Sequence, residues 1–173
     1  MFDDLSISID VALGTIVGAA ITAFVNWRVD KRRRAEDIAA RKRDAVADFQ
    51  TAAHSCLHHA ATIPEAREMA EKAGTMWNLT ANFMLNRRSV KLYDGATLDG
   101  FGDFISLRIA RDRVRSTWGE SDLTRLVATT TDEIHDAYTA GLEGGTNEDV
   151  SARIKPVLTN LEAIASIAQR EAP

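Results

Sequence analysis

Between residues 11 and 25 the chain carries no charged side chain, and the nine residues that follow carry five bases: Arg28, Lys31, Arg32, Arg33 and Arg34. That junction constrains the fold more than any other feature. An uncharged run of this kind is either the buried core helix of a water-soluble domain or a segment that crosses a bilayer and stops at the arginines. A span needs roughly 17–25 mostly apolar residues. Residues 11–27 lie at the short end of that range. Residues 5–27, interrupted only by Asp10, are adequate if Asp10 sits near the outer headgroups.

A cleaved signal peptide would place bases before the apolar stretch and a small-residue cleavage site after it. Here the order is reversed, with Asp3, Asp4 and Asp10 first and the bases after. The pattern predicts a single transmembrane helix. Because bases flanking a span stay in the cytoplasm, it also predicts residues before the span outside and residues from Arg28 onward inside. This is the layout of a single-pass protein of a cell inner membrane. Trp27 would then lie at the cytoplasmic headgroup level. Arg28, Lys31, Arg32, Arg33 and Arg34 become stop-transfer residues and candidate contacts for anionic lipid headgroups, each base near the surface contributing about 1 kcal/mol.

Within the run, Gly14 and Gly18 form a GxxxG pair that Thr22 and Asn26 continue on the same four-residue stripe. Small residues at this spacing let two helix backbones approach closely in lipid. Gly14, Gly18, Thr22 and Asn26 are therefore the candidate self-association face, and a homo-oligomer is expected.

The rest of the chain reads as helical. Of 173 residues, 45% are hydrophobic and 27% charged, with ten glycines and three prolines. The net charge of −4 is uneven. Residues 1–27 carry −3, residues 28–44 carry eight bases against four acids, and the remaining −5 falls on residues 45–173. A mildly acidic body does not offer the basic face that nucleic acid requires, so no nucleic-acid partner is expected. The single cysteine, Cys56, excludes an intrachain disulfide. The division is thus a short N-terminal segment with its span (1–27), a basic juxtamembrane helix (28–44), and a cytoplasmic body (45–173). The fold class is all-α, with the span continuing into an antiparallel bundle of four to five helices.

Along the body, Ala45, Phe49, Ala52, Cys56, His59 and Ile63 are spaced 4-3-4-3-4, a heptad-like seam too short to assert a coiled coil. Thr62, Pro64 and Glu65 read as a helix restart with a Thr cap. The following helix, reaching about Arg88, would place Met69, Ala73, Met76, Trp77, Thr80, Phe83 and Met84 on one face. Residues 89–100, with two glycines, read as a connection. Residues 101–118 mix strand-like alternation at Ile105, Leu107 and Ile109 with a helical set of Phe104, Leu107, Val114 and Trp118. Helix is the better reading because a lone strand has no partner.

A further helix over 121–142 uses Leu123, Leu126, Val127, Ile134, Tyr138 and Leu142. After a turn capped by Thr146 or Asn147, the last helix uses Val150, Ile154, Val157, Leu158, Leu161, Ile164, Ile167 and Ala168. Pro156 should kink that helix or mark its start.

Chemistry is scarce. HSCLHH, residues 54–59, puts His54 and His58 on one helix face as a two-histidine metal site would need. The further ligands would have to come from elsewhere, such as His135, Asp132 or Asp136. The simpler reading is an exposed His54/His58 pair, with Cys56 and His59 in the seam. Asp132 and His135 resemble half of a di-iron helix motif whose other half is missing. No phosphate-binding glycine loop, nucleophile elbow or zinc-protease motif occurs. Asn78-Leu79-Thr80 matches a glycosylation tripeptide but falls on the expected cytoplasmic side.

No catalytic residue, cofactor or metal ligand is therefore assigned. The expectation is a non-enzymatic, membrane-anchored interaction, scaffold or accessory module with an unidentified protein partner. A membrane-perturbing effector of phage or toxin type, oligomerising through its span, is the alternative.

Overall fold

The structure is a computed structural model that describes the backbone of residues 3–75 and 81–171 and the side chains of residues 18–69, 71 and 100–171. Among the described residues every element is an α-helix and no strand occurs. Helix α1 spans Asp3–Thr75, α2 Ala81–Trp118, α3 Asp122–Leu142 and α4 Asn147–Glu171. The chain divides into two compact units, Met1–Ala40 and Arg41–Pro173.

In the larger unit, α1 and α2 run antiparallel, as three sets of contacts show. Trp118 Nε1 donates to the Lys42 carbonyl at 3.2 Å, Arg113 pairs with Asp48, and Asp103 meets Ser55 and His59. Residue numbers rise along α1 as they fall along α2. The Lys42 ammonium also lies 4.5 Å from the Trp118 ring centre, so that ring is held by both a hydrogen bond and a cation–π contact. The core takes Ala45, Phe49, Ala53 and Cys56 from α1, Leu107 and Val114 from α2, Leu123, Val127 and Ile134 from α3, and Val157, Leu161 and Ile164 from α4. A smaller cluster of Ala60, Ile63, Tyr138 and Val150 continues it.

Both later helices start on a reciprocal cap. Ser121 Oγ accepts from the Thr124 N–H while Thr124 Oγ1 accepts from the Ser121 N–H. Thr146 and Asp149 exchange the equivalent pair at the start of α4, so Thr146 is the cap there.

The seam Ala45, Phe49, Ala52, Cys56, His59 and Ile63 does face the interior, fully or in part. Residues 101–118 are helical. Leu107, Ala110, Val114 and Trp118 face inward, and Ile105 and Ile109 stand on the outer side, so their alternation with Leu107 is incidental.

Five local expectations are corrected. Thr62–Glu65 is not a restart, because α1 runs through Pro64 and the Thr62 hydroxyl donates back to the His59 carbonyl at 2.9 Å. A proline inside a helix costs about 3 kcal/mol, but Ala60 and Ile63 before it and Ala66 after it are all buried and hold the turn. Residues 89–100 are not a connection but part of α2. Two glycines in a helix each cost only about 1 kcal/mol relative to alanine, and at Gly100 the missing Cβ has a use: an added one would sit 2.6 Å from Tyr138 Cε2. The helix expected to reach Arg88 falls partly on α1, described to Thr75, and partly on α2, described from Ala81. Pro156 lies nine residues inside α4 and does not mark its start. The carbonyl it deprives of a donor, that of Ala152, is on an exposed residue where water can reach it. Met69, Leu142 and Leu158, expected in the core, are exposed. Of the Met69 face, Ala73, Met76, Trp77, Thr80, Phe83 and Met84 lie outside the described side chains, as does the Asn78-Leu79-Thr80 tripeptide.

Among the described residues no helix is long and apolar enough to cross a membrane. The first seven residues of the uncharged run, 11–17, lie outside those whose side chains are described.

Candidate functional site

The smaller unit carries the residues that the sequence singles out. Gly18 faces open space, since a Cβ built on it would meet nothing within 4 Å. Thr22 Oγ1 donates to the Gly18 carbonyl at 2.9 Å, which turns its hydroxyl back along the helix. Asn26 is exposed on the same stripe, and Gly14 lies outside the described side chains. A small-residue face therefore exists at Gly18 and Thr22.

Around it the helix is apolar and uncovered. Ile21, Phe24 and Trp27 are 58%, 57% and 58% exposed, and Val25 is half exposed. The Phe24 and Trp27 rings meet at 6.0 Å between centroids. One turn on, the Lys31 ammonium lies 5.4 Å from the Trp27 ring centre. Trp27, Asp30, Lys31 and Arg34 line a shallow groove of about 160 Å³. Arg28, Arg32 and Arg33 are exposed, and Arg32 pairs with Glu36 at 2.9 Å. The helix thus passes within two turns from uncovered apolar side chains, through an aromatic pair, to a basic collar.

The larger unit holds an interhelical polar cluster between α1 and α2. His54 and His58 lie on the outer face of α1, while Cys56 is buried and His59 is partly so. Asp103 of α2 accepts a hydrogen bond from Ser55 Oγ, and its Oδ2 lies 2.8 Å from His59 Nδ1. That second contact is one of proximity, since Nδ1 is buried without a well-aligned hydrogen bond. Burial, and then the negative charge of Asp103, push the Cys56 thiol up to about 12.

No known family, curated protein or solved structure matches this chain.

The cluster joins α1 to α2. Nucleophilic catalysis needs the base to touch the hydroxyl and an acid to orient the base. Here the carboxylate sits between Ser55 and His59, so the serine proton faces an acid and the imidazole is not its acceptor. A thiol held near 12 is not a nucleophile at neutral pH. His135 stacks on Phe104 at 5.0 Å, and Asp132 and Asp136 are exposed beside it. Among the described residues no three His, Cys, Asp or Glu side chains gather as a metal ion requires.

Sequence reasoning missed Asp103. Its signal was an acid on the same face of α2 as Leu107, Ala110 and Val114, a position an aspartate occupies when it has a partner.

A second group that it missed is Arg67. Its guanidinium donates to the carbonyls of Gly141 (3.2 Å), Gly144 (3.0 Å) and Gly145 (2.9 Å), closing the end of α3 and the turn into α4.

Proposed function

We infer that this protein is a non-enzymatic, single-pass membrane-anchored helical module. Its span lies within residues 5–27, and its body of four-helix packing is cytoplasmic at a cell inner membrane. The body serves as an interaction, scaffold or accessory surface for a protein partner, and the span self-associates through Gly14, Gly18, Thr22 and Asn26. The observation that carries this reading is the run of Ile21, Phe24, Val25 and Trp27, each half exposed or more, leading without a helix break into Arg28–Arg34. Large apolar side chains left open in this number call for cover by lipid or by another chain, and the bases that follow are where a span would stop.

A membrane plane raises the effective concentration of anchored copies, so weak contacts between helices suffice to assemble them. The Gly18 face, open to 4 Å, suits such an approach.

The test is carbonate extraction of membranes that hold the full chain, beside a truncation that begins at Ala35. The full chain should resist carbonate and need detergent, the truncation should be soluble, and Gly14→Leu or Gly18→Leu should reduce cross-linked oligomer. A full chain released by carbonate overturns the anchor. Leakage of a vesicle-trapped dye would replace the interaction module with the membrane-perturbing effector.

A further inference from the structure

We propose that Trp27, Lys31 and Arg34 form a headgroup site that holds the phosphate of an anionic phospholipid. This rests on the anchor reading and goes beyond a general attraction of bases to a surface. The three residues lie at i, i+4 and i+7, so they share one face of α1. They line the same groove of about 160 Å³. That volume is below the roughly 300–1,000 Å³ that a drug-sized molecule fills, and it suits a group the size of a phosphate.

The chemistry is complementary. Lys31 is steadied over the Trp27 ring at 5.4 Å, which fixes its ammonium beside the groove with donors free to turn. Arg34 brings a planar guanidinium whose paired donors match phosphate oxygens. Trp27 and Phe24 supply the amphipathic ring surface that sits at the boundary between acyl chains and headgroups. The groove begins two residues after the uncharged run ends. Asp30 also lines it and opposes an anion, so the site is tuned below its full attraction. Arg32, paired with Glu36 on a different face, is outside the site and provides the control for net charge.

The experiment places the full chain in phosphatidylcholine bilayers that contain trace spin-labelled phosphatidylglycerol or spin-labelled phosphatidylcholine. It reads the preference of the immobilised lipid component for the anionic label. The wild type should prefer phosphatidylglycerol. Lys31→Gln and Arg34→Gln should each reduce that preference by up to about five-fold, the equivalent of about 1 kcal/mol per cation at the surface. Asp30→Asn should raise it, and Arg32→Gln should change it least.

An equal loss in Arg32→Gln would assign the effect to net charge and overturn the site. So would an immobilised component with no headgroup preference, in which case the anchor survives. No immobilised component at all would overturn the anchor reading, and the site with it. Displacement of the anionic label by soluble polyglutamate would give the groove to an acidic protein and overturn the lipid assignment.

Discussion

Gly100→Ala tests the packing of α2 on α3 at one atom. In an ordinary helix interior this change stabilises by up to about 1 kcal/mol, because glycine has the larger backbone entropy to lose. Here the added Cβ would lie 2.6 Å from Tyr138 Cε2, 2.7 Å from its Oη and 3.0 Å from its Cζ. Carbon contacts settle near 3.5–4.0 Å, so the ring or the helix must give by about 1 Å. The Tyr138 ring is 8% exposed and packs with Ala60, Ile63 and Val150, which leaves it little room to swing. Retreat of α2 would instead loosen Leu107 and Val114, both fully buried. Overpacking of this kind costs about 1–3 kcal/mol, so the net effect of Gly100→Ala is a loss of up to about 2 kcal/mol, once a gain in helix propensity of about 1 kcal/mol is taken off. In a Tyr138→Leu background the obstructing ring atoms are gone, and the same substitution should be neutral or stabilising. The coupling energy between the two changes should then equal the overpacking cost, about 1–3 kcal/mol. Thermal unfolding followed by circular dichroism in mild detergent reads this as a drop of up to about 8 °C in one background and none in the other. An equal effect of Gly100→Ala in both backgrounds would refute the close approach of the two helices.

Arg67→Met keeps the aliphatic stem and removes three donors from the Gly141, Gly144 and Gly145 carbonyls; unfolding should show a loss of about 1–3 kcal/mol, and amide exchange should rise first in the α3–α4 turn. The Cys56 thiol should resist a disulfide reagent at pH 8 in the folded protein and react at once in denaturant; labelling at the denatured rate would contradict its burial. Because its folded pKa is raised to about 12, the stability it contributes is complete below the ordinary thiol value and is lost as pH climbs from there toward 12, and Cys56→Ala should flatten that alkaline limb. The Asp149 carboxyl is lowered by the Thr146 N–H, then by the Thr146 hydroxyl and the Arg153 charge. Its cap therefore holds above the ordinary aspartate value and is lost as pH falls through the depressed one, so the acid limb of a stability profile should be shallower in Asp149→Ala.

What could be read without the structure depended on whether one helix sees one core. Helices α3 and α4 do: Leu123, Val127 and Ile134 on one, and Val157, Leu161 and Ile164 on the other, face a single interior, and a 3.6-residue period finds them. Threonines blur the pattern, because Thr130 and Thr131 are buried with their hydroxyls satisfied by the Leu126 and Val127 carbonyls, a solution that composition does not reveal. The contacts between α1 and α2 were not legible at all. Lys42 meets Trp118, Asp48 meets Arg113, and Ser55 and His59 meet Asp103, across separations of 44 to 76 residues set only by how the two helices align. In the smaller unit the residues of Gly18–Arg34 were legible as a class, since charge and apolarity there are decided by the chain itself. The Trp27–Lys31–Arg34 groove needed coordinates.

Pro64, which misled local reading, sits in one joint with Gly141 and Arg67, which local reading passed over. Pro64 removes the amide hydrogen that would bond the Ala60 carbonyl, and Ala60 is fully buried, so water cannot replace it. Gly141 of α3 stands opposite: a Cβ there would lie 3.4 Å from that carbonyl and from Ile63 Cβ, so the bare glycine lets the two backbones close over the gap. Arg67, three residues after Pro64, then reaches the carbonyl of the same Gly141 and of the turn beyond it. A helix breaker, a glycine near a helix end and a partly buried arginine look like three unrelated punctuation marks along the chain. In space they are one joint, where the proline's loss on α1 is met by the approach of α3 and the end of α3 is closed by α1. Rules of local propensity fail there for a physical reason: the proline and the glycine cost their own helices about 3 and about 1 kcal/mol, and only the neighbouring helix makes that tolerable.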